Sequence, residues 1–142
     1  MYSGEISVTI YGEPVAQGRP RFARKTGHAY DPPKSRSWKA EAHACMASAV
    51  TAASGMFVAY PVGACEVSIT AVCSCPRSDY RKTPRLRRRH AKRPDAENVV
   101  KAVLDAGTGV LWCDDAQVAR LTVEKWIGAQ EERPFVEVWV RR

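Results

Sequence analysis

Long apolar runs, paired cysteines and acid are all scarce in this 142-residue chain. No apolar stretch reaches the roughly twenty residues that a bilayer-spanning helix needs. The opening residues, MYSGEISVTIYG, alternate like a strand and lack the layout of a secretory leader, so a cytoplasmic protein is expected. The five cysteines, Cys45, Cys65, Cys73, Cys75 and Cys113, are odd in number and contain no CxxC pair. Free thiols in a reducing cytosol are the simplest account. A zinc site from Cys73, Cys75 and His90 would have a spacing that fits no common pattern. There are no internal repeats, low-complexity tracts or domain linkers, and the length suits a single domain, 1–142, with one core. Fifteen acids face 22 lysines and arginines, for a formal net charge of +7 and a pI near 9.4. That balance favours a polyanionic partner, nucleic acid before membrane.

The scarce acids are not scattered. Asp95 with Glu97 and Asp114 with Asp115 form two tight groups within PDAENVVKAVLDAGTGVLWCDDAQ, residues 94–117. Like charges held together oppose folding unless a cation sits among them. Magnesium or manganese is the candidate, because both prefer carboxylate oxygens. Pro94 disfavours helix before it, and Asp95 is a good N-cap residue. Val99, Val100, Val103 and Leu104 then recur at helical spacing, and Gly107 is a plausible stop. The spacing predicts a helix over residues 95–106, with Asp95 and Glu97 at its entrance. Val110, Leu111 and Trp112 predict a short buried extended piece ending at the second acidic pair. The plainer reading makes these acids caps and solvated turn residues.

Two basic segments accompany them. QGRPRFARKTGHAYDPP, residues 17–33, carries Arg19, Arg21, Arg24 and Lys25 interleaved with Phe22, His28 and Tyr30. Such a loop suits a nucleic-acid backbone with a base or sugar to pack against. PRSDYRKTPRLRRRHAKR, residues 76–93, sets Arg77, Arg81, Lys82, Arg85, Arg87, Arg88, Arg89, Lys92 and Arg93 against one acid, Asp79. Self-repulsion predicts a loop that is mobile when free. Bound to DNA, it would neutralise phosphates with a steep salt dependence. It also abuts the acids, as a nuclease requires, since carboxylates alone repel the backbone they must approach.

Elsewhere, residues 5–11 alternate as a half-buried strand. Residues 34–53 predict an alanine-rich helix with Trp38, Ala42, Cys45, Met46 and Ala49 on one stripe. Residues 64–75 alternate with Val67, Ile69 and Ala71 on one side. Residues 118–127 alternate, with Ala119, Leu121, Val123 and Ile127 toward a core. Residues 128–133 form a polar turn, and residues 135–140 a final strand expected to pair with its neighbour as a hairpin. The order strand, helix, strand, helix, strand, strand predicts a small α+β domain with helices packed on a mixed sheet.

The core pattern RPDAENVVKAVLDAGTGVLWCDDAQV resembles the RusA family of Holliday junction resolvases, common on phages and prophages. That family reads basic-Pro-Asp-x-Asp-Asn, a Lys three residues after the Asn, a helix, then Asp-Asp-x-Gln-Val. Asp95, Glu97, Asn98, Lys101, Asp114, Asp115, Gln117 and Val118 fall on it. YGEPVAQGRPRF is similar to the family's N-terminal strand and basic loop, whereas residues 40–75 match only in general character. Glu97 departs from the family's usual Asp and reaches one methylene further.

The resemblance implies a RusA-like fold and a magnesium-dependent endonuclease that resolves four-way DNA junctions as a homodimer in a bacterial host cell. Asp95, Glu97 and Asp115 would hold the metal with Asp114 nearby, and Asp115 would be the main ligand of its pair. The residues alone do not separate Asp114 from Asp115, since neighbours on a strand point opposite ways. Lys101 reads either as a group steadying developing charge or a carboxylate, or as a surface helix lysine. Arg19, Arg21, Arg24, Lys25, Arg85, Arg87, Arg88, Arg89, Lys92 and Arg93 are the candidate DNA contacts. Two rivals remain at this point: a catalytically decayed nucleic-acid-binding module, and a basic structural protein whose acids only cap a helix.

Overall fold

The computed structural model describes residues 2–142. In chain order the elements are β1 (Ile6–Tyr11), β2 (Arg21–Phe22), β3 (Ala29–Tyr30), α1 (Pro33–Ser54), β4 (Cys65–Cys73), β5 (Arg88–Arg89), α2 (Ala96–Gly107), β6 (Val118–Ile127) and β7 (Phe135–Arg141). The main sheet has the order β1-β7-β4-β6-β5, and β2 with β3 makes a separate two-stranded ribbon. β4 runs parallel to β6 and antiparallel to β7, so the sheet is mixed, as expected of an α+β domain.

One face of the sheet makes the core. Ile6, Val8 and Ile10 lie opposite Val140, Val138 and Val136, which in turn lie opposite Val67, Ile69 and Ala71. All nine are buried. Each fully buried Val or Ile side chain of this three-strand patch contributes about 1.5–3 kcal/mol. α1 covers it with Trp38, Ala42, Met46 and Val50. The buried stripe thus runs through Val50, while Cys45 and Ala49, expected on it, are only half-buried. α2 adds Val99, Ala102, Val103 and Ala106. Among the described residues, no helix is long and apolar enough to cross a membrane.

Three expectations are corrected. β6 and β7 do not form a hairpin, because β4 lies between them. β4 buries Cys65, Val67, Ile69, Ala71 and Val72 with Glu66, Ser68 and Thr70 alternating between them, and it is hydrogen-bonded to β6 along one side and to β7 along the other. The link from β6 to β7 therefore crosses the end of β4. Gly128 makes the crossing, donating its N–H to the Cys73 carbonyl at 2.7 Å. A Cβ there would stand 3.1 Å from that same oxygen. Next, Ala119 and Leu121 are exposed rather than turned into a core. β5 covers β6 only at Trp126 and Ile127, so the first part of β6 is open at its outer side. Last, Val110, Leu111 and Trp112 are buried but form a turn, with Trp112 bridging to Tyr60 and Thr108.

Candidate active site and nucleic-acid interface

The two acidic groups lie at opposite ends of α2. Asp95 holds the N-cap position in extended backbone, yet its side chain makes no capping hydrogen bond. It lines a depression with Ala16, Gln17, Arg19, Arg93, Pro94 and Asn98. Two ties fix this corner. Gln17 donates its backbone N–H to the Asn98 carbonyl at 2.9 Å. Lys125 Nζ reaches from β6 to donate to the carbonyls of Lys92 (2.8 Å) and Pro94 (2.7 Å), immediately before Asp95. Sequence reasoning passed over Lys125. Its signal was a charged residue in line with Leu121, Val123 and Ile127. Glu97 and Lys101, one helical turn apart, form an exposed ion pair at 3.0 Å.

At the other end, Asp114 and Asp115 share a depression with Lys39, His43, Asp105, Ala106 and Thr108. Gln117 fixes the turn that carries them. Its Oε1 accepts the N–H groups of Cys113 (2.9 Å) and Asp114 (3.1 Å), and its Nε2 donates to the carbonyls of Tyr60 and Gly63, each at 3.0 Å. Asp114 spends one carboxylate oxygen on the Ala116 N–H at 2.8 Å. Asp115 carries no such capping duty. The geometry thus offers a distinction between the pair that the sequence did not.

From Asp95 to Ala106 the helix rises by about 16 Å, at about 1.5 Å per residue. One chain therefore does not bring Asp95 and Glu97 together with Asp114 and Asp115. Among the described residues, no three His, Cys, Asp or Glu side chains gather as a metal-holding group. Cys73, Cys75 and His90 are included in that statement. Burial pushes the Cys73 thiol up to about 11. Burial, then Lys125, Lys92 and Arg88, pushes the His90 imidazole down.

The two basic segments differ. The loop of residues 17–31 is closed at its base by side chains. Gln17 Nε2 donates to Asp31 (3.0 Å), and Lys39 Nζ contacts Asp31 (2.5 Å) and Asp105 (3.3 Å). Burial works against the Lys39 ammonium, but Asp31 and Asp105 outweigh it and hold the group above the usual lysine value. The hydrogen bond from Lys39 holds Asp31 below the usual carboxylate range. From this base β2 and β3 project as a ribbon, pairing Arg21 with Tyr30 and Phe22 with Ala29. Phe22 is 71% exposed. Arg19, Arg21, Arg24 and Lys25 are exposed, and none has a carboxylate partner among the described residues.

The second segment is tied to the fold at three of its arginines. Arg88 and Arg89 pair with β6 as β5. Arg88 contacts Asp79, and Arg87 contacts Glu132. Arg89 lies 3.4 Å from Glu124 and stacks 4.2 Å over the Trp126 ring. The hydrogen bond from Arg87 holds Glu132 below the usual carboxylate range. Lys92 and Arg93 remain exposed, and Arg93 joins Arg19 beside Asp95. Arg85 is half-buried.

Comparison with known proteins gives two findings. A family model described as "Endodeoxyribonuclease RusA" matches residues 11–141. "Uncharacterized protein YqaN" of Bacillus subtilis (strain 168) is 33% identical over 144 residues, covering 96% of this chain and 95% of that protein.

Proposed function

This chain belongs to the RusA family of endodeoxyribonucleases, and on that footing we propose that it resolves four-way DNA junctions as a homodimer with magnesium or manganese. Asp95 carries the reading. A carboxylate at a helix N-cap that does not cap, in a depression shared with Arg19 and Arg93, is placed to act on something other than its own helix. The arginines suit a DNA phosphate and the carboxylate suits a cation beside it.

The donor set of Asp95, Glu97, Asp115 and Asp114 is all oxygen, which fits a hard divalent cation. Because α2 holds the two groups apart, the set is completed by a second copy. Asp95 and Glu97 of one chain act with Asp115 of the partner subunit, and the partner's Asp114 lies alongside. A bound magnesium or manganese ion supplies Lewis acidity to the phosphate and a more acidic water. Lys101 keeps Glu97 oriented through their ion pair. Arg19, Arg21, Arg24, Lys25, Lys92 and Arg93 hold phosphates, with Arg85 at the margin. Arg87, Arg88 and Arg89 serve the fold before the DNA. A two-fold dimer then presents two equivalent sites, as symmetric cuts across a junction require. A bacterial cytoplasm, with the gene on a phage or prophage, is the setting this reading implies.

The test uses a synthetic mobile junction with and without magnesium. Asp95→Asn and Asp115→Asn alone should each bind the junction and leave it uncut. Mixed and re-equilibrated, they should regain nicking, because roughly a quarter of the sites in a random mixture of two-fold dimers pair two intact halves. A mixture as inactive as its parts would place the site within one chain. Wild type that binds and never cuts in magnesium would make the protein a decayed binding module.

A further inference from the structure

Residues 90–94 join β5 to α2 outside any strand or helix, and they deliver the chain to Asp95. Among the described residues, each hydrogen bond to this segment has Lys125 at its other end. The Lys125 carbonyl accepts the His90 N–H at 3.0 Å. The Lys125 ammonium donates to the carbonyls of Lys92 and Pro94, at 2.8 and 2.7 Å. Those two carbonyls stand on either side of Arg93, and the second immediately precedes Asp95. Arg93 and Asp95 line one depression. Both therefore hang from a single side chain of β6.

The place of this lysine is a costly one. Lys125 lies opposite Ala71 in the register of β4 and β6, in the row where Leu121 meets Val67 and Val123 meets Ile69. The β4 members of that row are buried. A half-buried ammonium in such a row is unfavourable unless its donors are used. No carboxylate meets it among the described residues. Its partners are backbone carbonyls, and bonds from a charged donor are shorter and stronger than neutral ones. An aliphatic side chain would fill the row equally well, so packing does not account for a lysine there.

We propose that Lys125 is a positioning residue for phosphodiester cleavage. It acts through the backbone, holding Arg93 and Asp95 in one fixed relation. A phosphate on the arginine then lies where a cation on the carboxylate reaches it. The inference rests on the reading of Asp95 as a cation ligand and Arg93 as a phosphate contact. In-line attack tolerates little error, and a shift of about 1 Å costs about a hundredfold in rate. Without the ammonium, the segment keeps only the bond at His90, the end farther from Asp95. Groups that orient a metal ligand in this way typically govern affinity for the ion as well as rate.

Lys125→Met in the full chain tests this, because methionine keeps the packing of the stem and removes the donors. Circular dichroism and melting temperature confirm folding. On a mobile junction, kcat should fall about a hundredfold while KM changes less than about threefold. Manganese affinity of the DNA-free protein, by isothermal titration calorimetry, should fall about tenfold. The backbone amide resonances of Arg93 and Asp95 should move, and those of β1 and β7 should not. Lys125→Arg keeps charged donors and should recover at least about tenfold of the rate. A folded Lys125→Met with the wild-type rate and the wild-type manganese affinity overturns the proposal. So does a loss of rate that only tracks a lower melting temperature and vanishes on cooling, which would make Lys125 a stabilising anchor. Should Lys125→Met not fold, Lys125→Gln replaces it under the same criteria. Wild type that cuts no junction, yet binds manganese more tightly than Lys125→Met by the expected factor, supports the positioning role and sinks the nuclease reading alone.

Discussion

The ribbon of residues 19–30 and the run of residues 77–93 look equivalent as strings of charge, yet they are built for different work. In the ribbon the acids, Asp31 and Asp105, are used at the base, on Lys39, and the arginines beyond are left without carboxylates. In the run, Asp79, Glu132 and Glu124 are brought from nine to 45 residues away to meet Arg88, Arg87 and Arg89. Formal charge is therefore a poor guide to charge available for a partner. An arginine already facing a carboxylate releases few counterions when DNA arrives, while an uncommitted one releases its full share.

The largest effect should come from the ribbon. Replacing Arg19, Arg21 and Arg24 with Ala should flatten the plot of log affinity against log salt by roughly three units if all three meet phosphate. Fluorescence anisotropy on a labelled junction measures it, and an unchanged slope would remove the ribbon from the interface. The same triple replacement at Arg87, Arg88 and Arg89 should change the slope by less than one unit but lower the melting temperature. Losing Arg88 alone leaves the half-buried Asp79 without its cation, a cost of about 1 kcal/mol. A three-unit slope change here would mean that these arginines let go of their carboxylates on DNA, and the contrast would collapse.

The smallest effect is on pH. Glu132 titrates below its ordinary value because Arg87 holds its charged form. Its contribution is complete above that ordinary value and is lost as pH falls through the lower folded one. Melting temperature should therefore fall more steeply below pH 4.5 in wild type than in Glu132→Gln. Parallel curves would show the tether to be without weight.

Local pattern disclosed the two helices and the long strands, because periods of two and 3.6 are written in neighbouring residues. It also disclosed the two acidic groups. It did not show that β4 separates β6 from β7, since strand order depends on pairings between residues far apart in the chain, and both β4 and β7 alternate in the same way. Nor did it show the partners of Arg87 and Arg88, which come from turns that look like ordinary polar linkers. The distance between Asp95 and Asp115 was implicit in the helix joining them, yet a motif reads as one cluster however long its spacer is. Lys125 stayed hidden because a lone lysine in a strand reads as a solvent-facing residue.

The order of the sheet bears on how the chain acquires its fold. Ile6 pairs with Val140 and Tyr11 with Phe135, and β4 has β7 on its other side. The first strand thus waits, unpaired, until nearly all the remaining residues have been synthesised. Contacts of such long sequence separation form slowly, because the loop must close before the ladder rewards it. α1 and α2 can form beforehand, but the apolar face they cover is not assembled until β7 enters between β1 and β4. During that interval the chain exposes β1 and the β7-facing edge of β4 to whatever else in the cell can pair with them.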